Sequence, residues 1–188
     1  DIVGDGDWCV TLSGQTQINY NEEPLVAGGG NSIQLNYTSY SNANSIQQAS
    51  STDINSMTND FTIVSFVSFP QVAIDNNNSI RIFYRRDIST GVQTIALYAN
   101  LTNDLSQPNA IYGVTDNDSS GNGRIYSPSI SWVADQPYMI VYTSSSTSGE
   151  GKRLFLNDQE VAHEPNNTLG AQPISNGRIT YGPGSTEQ

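Results

Sequence analysis

Apolar residues in this chain recur at every second position in short runs, and almost never at helical spacing. In FTIVSFVSFP, Phe61, Ile63, Ser65, Val67 and Phe69 fall on one face, because successive side chains of an extended strand point to opposite sides. SIRIFYRRD sets Ile80, Ile82 and Tyr84 against Arg81, Phe83 and Arg85. QTIALYANL, YMIVYTS, KRLFLND and GRITYG follow the same rule, and DNNNS, DISTG, DNDSSGNG, SSTSGEG and LND separate them as turns. Many short strands at this spacing predict an all-β protein built as a two-sheet antiparallel sandwich. NSIQQASSTDINSM reads as a short helix or a long loop, and EEPLVAGGGNS as a loop. With no internal repeat and no linker, residues 1–188 are expected to form a single domain.

Charge narrows the partners. Seven basic residues face 18 acidic ones, a formal net charge of −11. The basic residues are Lys152 and the arginines at 81, 85, 86, 124, 153 and 178, which form no patch in sequence. Nucleic-acid binding, which needs a basic footprint, is excluded, and so is an anionic membrane surface. The longest apolar runs fall well short of the roughly 18 residues of a membrane span, so no membrane insertion is expected. Charged residues are only 13% of the chain, which suits an extracellular, secreted or surface-displayed protein better than an intracellular enzyme. No signal peptide is visible, and the chain reads as a mature protein or a module of a larger multidomain one. Cys9 is the only cysteine; in the alternating run DWCVTL it reads as a small buried thiol.

Ser131–Ala162, SWVADQPYMIVYTSSSTSGEGKRLFLNDQEVA, resembles the central hairpin of laminin G-like and other concanavalin A-like lectin domains. Tyr138–Tyr142 would be its first strand, SSSTSGEGK its turn and RLFLNDQEVA its second strand, with Asn157-Asp158 in place of the usual Asn-Gly. FTIVSFVSFP, SIRIFYRRD with QTIALYANL, and GRITYG are similar to further strands of that superfamily. The resemblance implies a jelly-roll fold with carbohydrate or other ligands bound at loops, often with calcium. The family's closing strand has no counterpart in GPGSTEQ, so either it is absent or an N-terminal segment does its work.

Enzymes of that fold leave signatures that can be sought. The glycanase pattern Glu-x-Asp-x-x-Glu does not occur, and glycoside hydrolysis needs two carboxylates across about 5–9 Å. The polysaccharide-lyase variants of the fold use a Tyr or His base beside an Arg; Tyr84 and Arg85 are neighbours, but strict alternation sends them to opposite faces. His163 is the only histidine, which rules out a zinc site of paired histidines, and no nucleophile elbow is present. The chain is therefore expected not to be an enzyme.

What remains is acidic loops. Calcium takes about six to eight oxygens from carboxylates, amides and carbonyls, and DNDSSGNGR offers Asp116, Asp118 and Asn122 around Gly121 and Gly123. DIVGDGDW offers Asp5 and Asp7 around Gly6. A solvated turn is the other reading of each. Sugar recognition at such a loop would use the ion together with Asn117, Gly121, Gly123, Arg124, Tyr126 and an aromatic face such as Trp132. Trp132 has an alternative place in the core, and Tyr84, Tyr98, Tyr138 and Tyr142 read as sheet-face residues. The function expected on these grounds is a calcium-dependent, non-catalytic glycan-binding lectin module of a surface adhesin. The alternative is a protein- or peptide-binding adhesion module with structural calcium.

Overall fold

The computed structural model describes residues 55–58, 60–75, 79–101, 109–115 and 123–183, together with the backbone of four strands upstream. Those four are β1 (Trp8–Val10), β2 (Ile18–Glu22), β3 (Ser32–Leu35) and β4 (Ile46–Gln48). After them come β5 (Phe61–Val67), a short helix α1 (Gln71–Asp75), β6 (Ser79–Asp87), β7 (Gln93–Asn100), β8 (Ile111–Thr115) and β9 (Arg124–Tyr126). The chain continues through β10 (Tyr138–Ser144), β11 (Lys152–Leu156), β12 (Gln159–Glu164) and β13 (Gly177–Pro183).

Two antiparallel sheets face each other as a jelly-roll sandwich. One has seven strands in the order β1-β4-β13-β6-β7-β8-β9, and the other has four, β12-β11-β10-β5. β2 and β3 pair as a separate hairpin. The core lies between the two large sheets. Ile82, Phe83, Ile95, Leu97, Ile111, Ile125 and Ile179 come from the seven-stranded sheet, and Ile63, Ile140, Tyr142 and Leu154 from the other. Each such side chain contributes about 1.5–3 kcal/mol by leaving water. The expected alternation of β5 holds: Ile63 is buried while Val64 and Phe66 face outward. Packing is close enough that Gly113 lies under the Tyr142 ring, where an added Cβ would come within 2.6 Å of it.

Two expectations change in detail, and one open alternative is decided. NSIQQASSTDINSM supplies a strand, since Ile46–Gln48 pairs with both β1 and β13. RLFLNDQEVA is two strands, because the chain reverses at Asn157, whose φ of 57° opens a tight turn between β11 and β12. Beyond β13, the seven-stranded sheet is continued by β4 and β1, so an N-terminal segment supplies that edge.

Two buried cations tie loops to this frame. Lys152, with no exposed surface, donates from Nζ to Asn167 O and Oδ1, both at 3.0 Å, and to Leu169 O at 2.6 Å. Arg85, equally buried, donates to the carbonyls of Met57, Asn55 and Gln172. Backbone oxygens, joined at Lys152 by the Asn167 side-chain oxygen, compensate both buried charges, while Arg85 Nε has no hydrogen-bond partner.

Candidate functional site on the outer face of the seven-stranded sheet

The β6 strand decides what this face presents. Arg81 stands opposite Tyr98 and Phe83 opposite Leu97, so Ile82 is an extra residue in the ladder, a β-bulge. Ile82 and Phe83 consequently both turn into the core. Past the bulge the alternation is out of phase by one residue. Tyr84 and Arg81, three positions apart, emerge on the same outer face, and the Arg81 guanidinium lies 4.2 Å from the centre of the Tyr84 ring. This corrects the alternation expected of SIRIFYRRD, which put Tyr84 with Ile80 and Ile82. Arg85 does lie opposite Tyr84, in the interior, but Arg81 takes the place beside the tyrosine.

A second irregularity acts on the next strand. Arg85 pairs with Ile95 and Arg86 with Gln93, leaving Thr94 as the extra residue of β7. Gln93 thereby reaches the outer face, where its Oε1 accepts a hydrogen bond from Tyr98 Oη at 3.0 Å. On β13, Ile179 is a core residue. Its neighbours Arg178 and Thr180 therefore point outward, opposite Arg86 and Tyr84.

The face reads as three cross-strand rows. Arg81, Tyr98, Tyr112 and Tyr126 form the first, in direct register across β6, β7, β8 and β9. Thr180, Tyr84, Ala96, Val114 and Arg124 form the second, and Arg178, Arg86 and Gln93 the third. Tyr98 and Tyr112 stack at 4.5 Å, and Tyr112 and Tyr126 at 5.4 Å. Tyr84 meets Tyr98 edge to face at 6.2 Å. Rings stacked on one another stand on edge, so they offer a ligand their rims and hydroxyls.

Charge is segregated onto this sheet. Strands β6, β7, β8, β9 and β13 hold five of the six arginines and a single acidic residue, Asp87. The Asp87 carboxylate is taken up by the backbone amides of Ser89 and Thr90 at 2.8 and 3.1 Å. Arg85 points inward; Arg81, Arg86, Arg124 and Arg178 share the outer face. The arginines that form no patch in sequence therefore form one in the fold. Burial, reinforced by Tyr112 and Tyr84 nearby, raises Tyr98 well above an ordinary phenol, so Tyr98 is a permanent hydrogen-bond donor toward Gln93.

Of the residues expected to bind calcium and sugar, the structure describes Gly123, Arg124, Tyr126 and Trp132. Asp5, Asp7, Asp116, Asn117, Asp118, Gly121 and Asn122 lie outside the described residues. Among the described residues, no three of His, Cys, Asp and Glu come together as a metal cluster. Gly123 closes the β8–β9 hairpin: a Cβ there would overlap Thr115 O at 1.5 Å. Arg124 and Tyr126 belong to the face just described. Trp132 packs edge-on against Phe69 and Tyr138 at 5.2 and 5.1 Å and donates to Asn100 O, so its place is in the core. His163 lies on β12 of the other sheet, with Nε2 3.0 Å from Glu150 O. The sequence did contain a signal for the tyrosines, since positions 84, 98, 112 and 126 are evenly spaced by 14 residues.

No family model and no curated protein matches the sequence. Among solved structures, the chain is similar to a polysaccharide lyase of family 18, at 9% identity and a TM-score of 0.44, covering 73% of this chain and 59% of that one. It is also similar to an alginate lyase from Alteromonas sp. 272, at 10% identity and a TM-score of 0.42, covering 73% and 58%. The chain thus spans less than three fifths of the length of either. Both are lyases and neither is a lectin. On that finding the expected non-catalytic lectin of an adhesin is corrected, and with it the expectation that the chain is not an enzyme.

Proposed function

We propose that the protein is a carbohydrate-processing enzyme that binds an acidic polysaccharide along the outer face of the seven-stranded sheet and cleaves it by β-elimination. The observation that carries this reading is Arg81 held over Tyr84 on a face with three more arginines, three more tyrosines and Gln93. Hydrolysis needs a pair of carboxylates, and these strands offer only the committed Asp87. Elimination needs none.

In a uronate, the proton on C5 becomes acidic when the adjoining carboxylate is neutralised, and Arg81 is the group for that task. A tyrosine oxygen, as the phenolate, then takes the C5 proton, the electron pair forms the C4–C5 double bond, and the C4–O glycosidic bond breaks. The departing oxygen takes that proton from the phenol so formed, which restores the phenolate. No water is consumed and no metal is required by the balance. Tyr84, against the arginine, is assigned as the base. Tyr98, held protonated by burial, is assigned to orient Gln93. A polymeric substrate cannot enter a cell, which favours secretion; among the described residues no helix is long and apolar enough to cross a membrane.

Incubation with alginate, polygalacturonate and hyaluronate, followed by the ultraviolet absorbance of the new double bond, tests the reading. Turnover is expected on at least one polyuronate. Tyr84→Phe should lower kcat by about 100-fold or more, the usual share of a general base, with binding retained. Arg81→Gln should lower both binding and turnover. Binding without any new absorbance would sink the enzymatic assignment.

A further inference from the structure

We infer that Asn167 is a positioning residue for the ligand face: it holds β9, and through it Arg124 and Tyr126, in place against the polysaccharide. The inference rests on the reading that this face binds an acidic polysaccharide, and it adds what fixes the far end of that face. β9 is three residues long and ends the seven-stranded sheet. Its bonds to β8 come from alternate residues. Gly123 O accepts from Thr115 N at 2.9 Å and Ser127 N donates to Ile111 O at 3.0 Å, with Ile125 opposite Gly113 between them. Backbone groups alternate sides along an antiparallel strand, so the Arg124 carbonyl points away from β8, to the edge of the sheet.

Asn167 meets that carbonyl, donating from Nδ2 at 3.4 Å. The amide is set in this sense by its other end. An ammonium only donates, so the side-chain oxygen of Asn167 faces Lys152 Nζ, 3.0 Å away, and the nitrogen is left to β9. The Asn167 backbone is equally committed: its N–H donates to Glu164 O at 3.0 Å, and its carbonyl accepts from Lys152 Nζ at 3.0 Å. Two residues on, Leu169 O accepts from Lys152 Nζ and from Thr115 Oγ1, at 2.6 and 2.7 Å. The loop is thus seated on a buried cation of the four-stranded sheet and on the last residue of β8, and Asn167 passes that anchorage to β9. The bond to Arg124 O is long, so it places the strand more than it stabilises the fold.

Arg124 and Tyr126 stand in the rows of Tyr84 and Arg81, three strands away from them, about 14 Å at roughly 4.8 Å per strand. At that distance they meet a sugar other than the one being cleaved. Loosening β9 therefore costs binding and leaves the chemical step alone.

Hydrogen exchange and steady-state kinetics on Asn167→Ala test this. Exchange at the Ile125 and Ser127 amides should rise by about threefold or more, while that at Leu97 and Ile140 in the sheet interiors stays unchanged. On whichever of alginate, polygalacturonate and hyaluronate the parent turns over, KM should rise by about three- to fivefold, the worth of one weak hydrogen bond. The kcat should stay within about twofold of the parent's on the same reasoning. Arg124→Gln should raise KM by less in Asn167→Ala than in the parent, because an arginine on a loosened strand has already lost its place. If Asn167→Ala fails to fold, Asn167→Ser, which keeps a polar turn residue without the amide donor, gives the same comparisons. Unchanged exchange in β9, or KM increases that simply multiply in the double variant, overturns the positioning role and leaves the proposed function standing. No turnover of any of the three polyuronates by the parent overturns the proposed function, and with it the part given to Asn167, whatever the exchange shows.

Discussion

Lys152 and the buried tyrosines give the molecule a defined response to alkali. Burial lowers Lys152 from 10.5 to about 8, so between those values the unfolded chain holds the proton that the folded one has released. Stability from this group therefore rises as pH climbs through that window. Burial raises Tyr181 from 10.0 to about 12, and it pushes Tyr98 and Tyr142 up further. Their contribution is complete below pH 10 and is lost as pH rises through the folded values. The melting temperature is expected to rise from pH 8 to about 10 and to fall above it, as scanning calorimetry across that range would show. Lys152→Met should abolish the rise and keep the fall. It should also cost about 1–3 kcal/mol at neutral pH, because three loop oxygens lose their donor. A flat profile in the parent would contradict the role given to Lys152.

Among the elements, β6 marks where the sequence was legible and where it was not. The strands themselves, their hairpins and the two-sheet sandwich follow from period-two alternation and turn residues. β5 keeps its faces as written, with Ile63 in and Val64 and Phe66 out. On β6 the same rule fails after Arg81, since Ile82 and Phe83 are consecutive apolar residues that both enter the core. Nothing local distinguishes a bulge from regular alternation until the partner strand fixes the register, so strict alternation puts Tyr84 on the wrong side, away from Arg81. The arginine it leaves as the neighbour of Tyr84 is Arg85, which is buried among carbonyls. The β8–β9 hairpin is as exacting. Gly123→Ala sets a Cβ against the Thr115 carbonyl, which cannot rotate away, whereas Gly113→Ala meets the Tyr142 ring. Urea unfolding should show Gly113→Ala costing about 1–3 kcal/mol and Gly123→Ala more. The latter should also impair ligand binding, because Arg124 and Tyr126 follow directly on β9. Equal, small losses would mean that the hairpin tolerates opening.

The whole molecule carries a net charge of −11 and yet places four arginines on one sheet face. Ionic contacts on that face should make binding to a polyuronate weaken steadily as salt is raised over the range where the Debye length falls from about 30 to 8 Å. Affinity measured at several salt concentrations would check this, and affinity independent of salt would remove the arginines from the binding account. The segregation has a kinetic side as well. A body of net negative charge that carries four arginines on one face repels an approaching polyanion in most orientations and attracts it in one. At low salt the net repulsion reaches farther than the local attraction. Modest salt should therefore speed association while it also speeds dissociation, the reverse of ordinary electrostatic steering between opposite charges. Because only one orientation is admitted, each productive encounter would begin with the arginine face already turned toward the substrate.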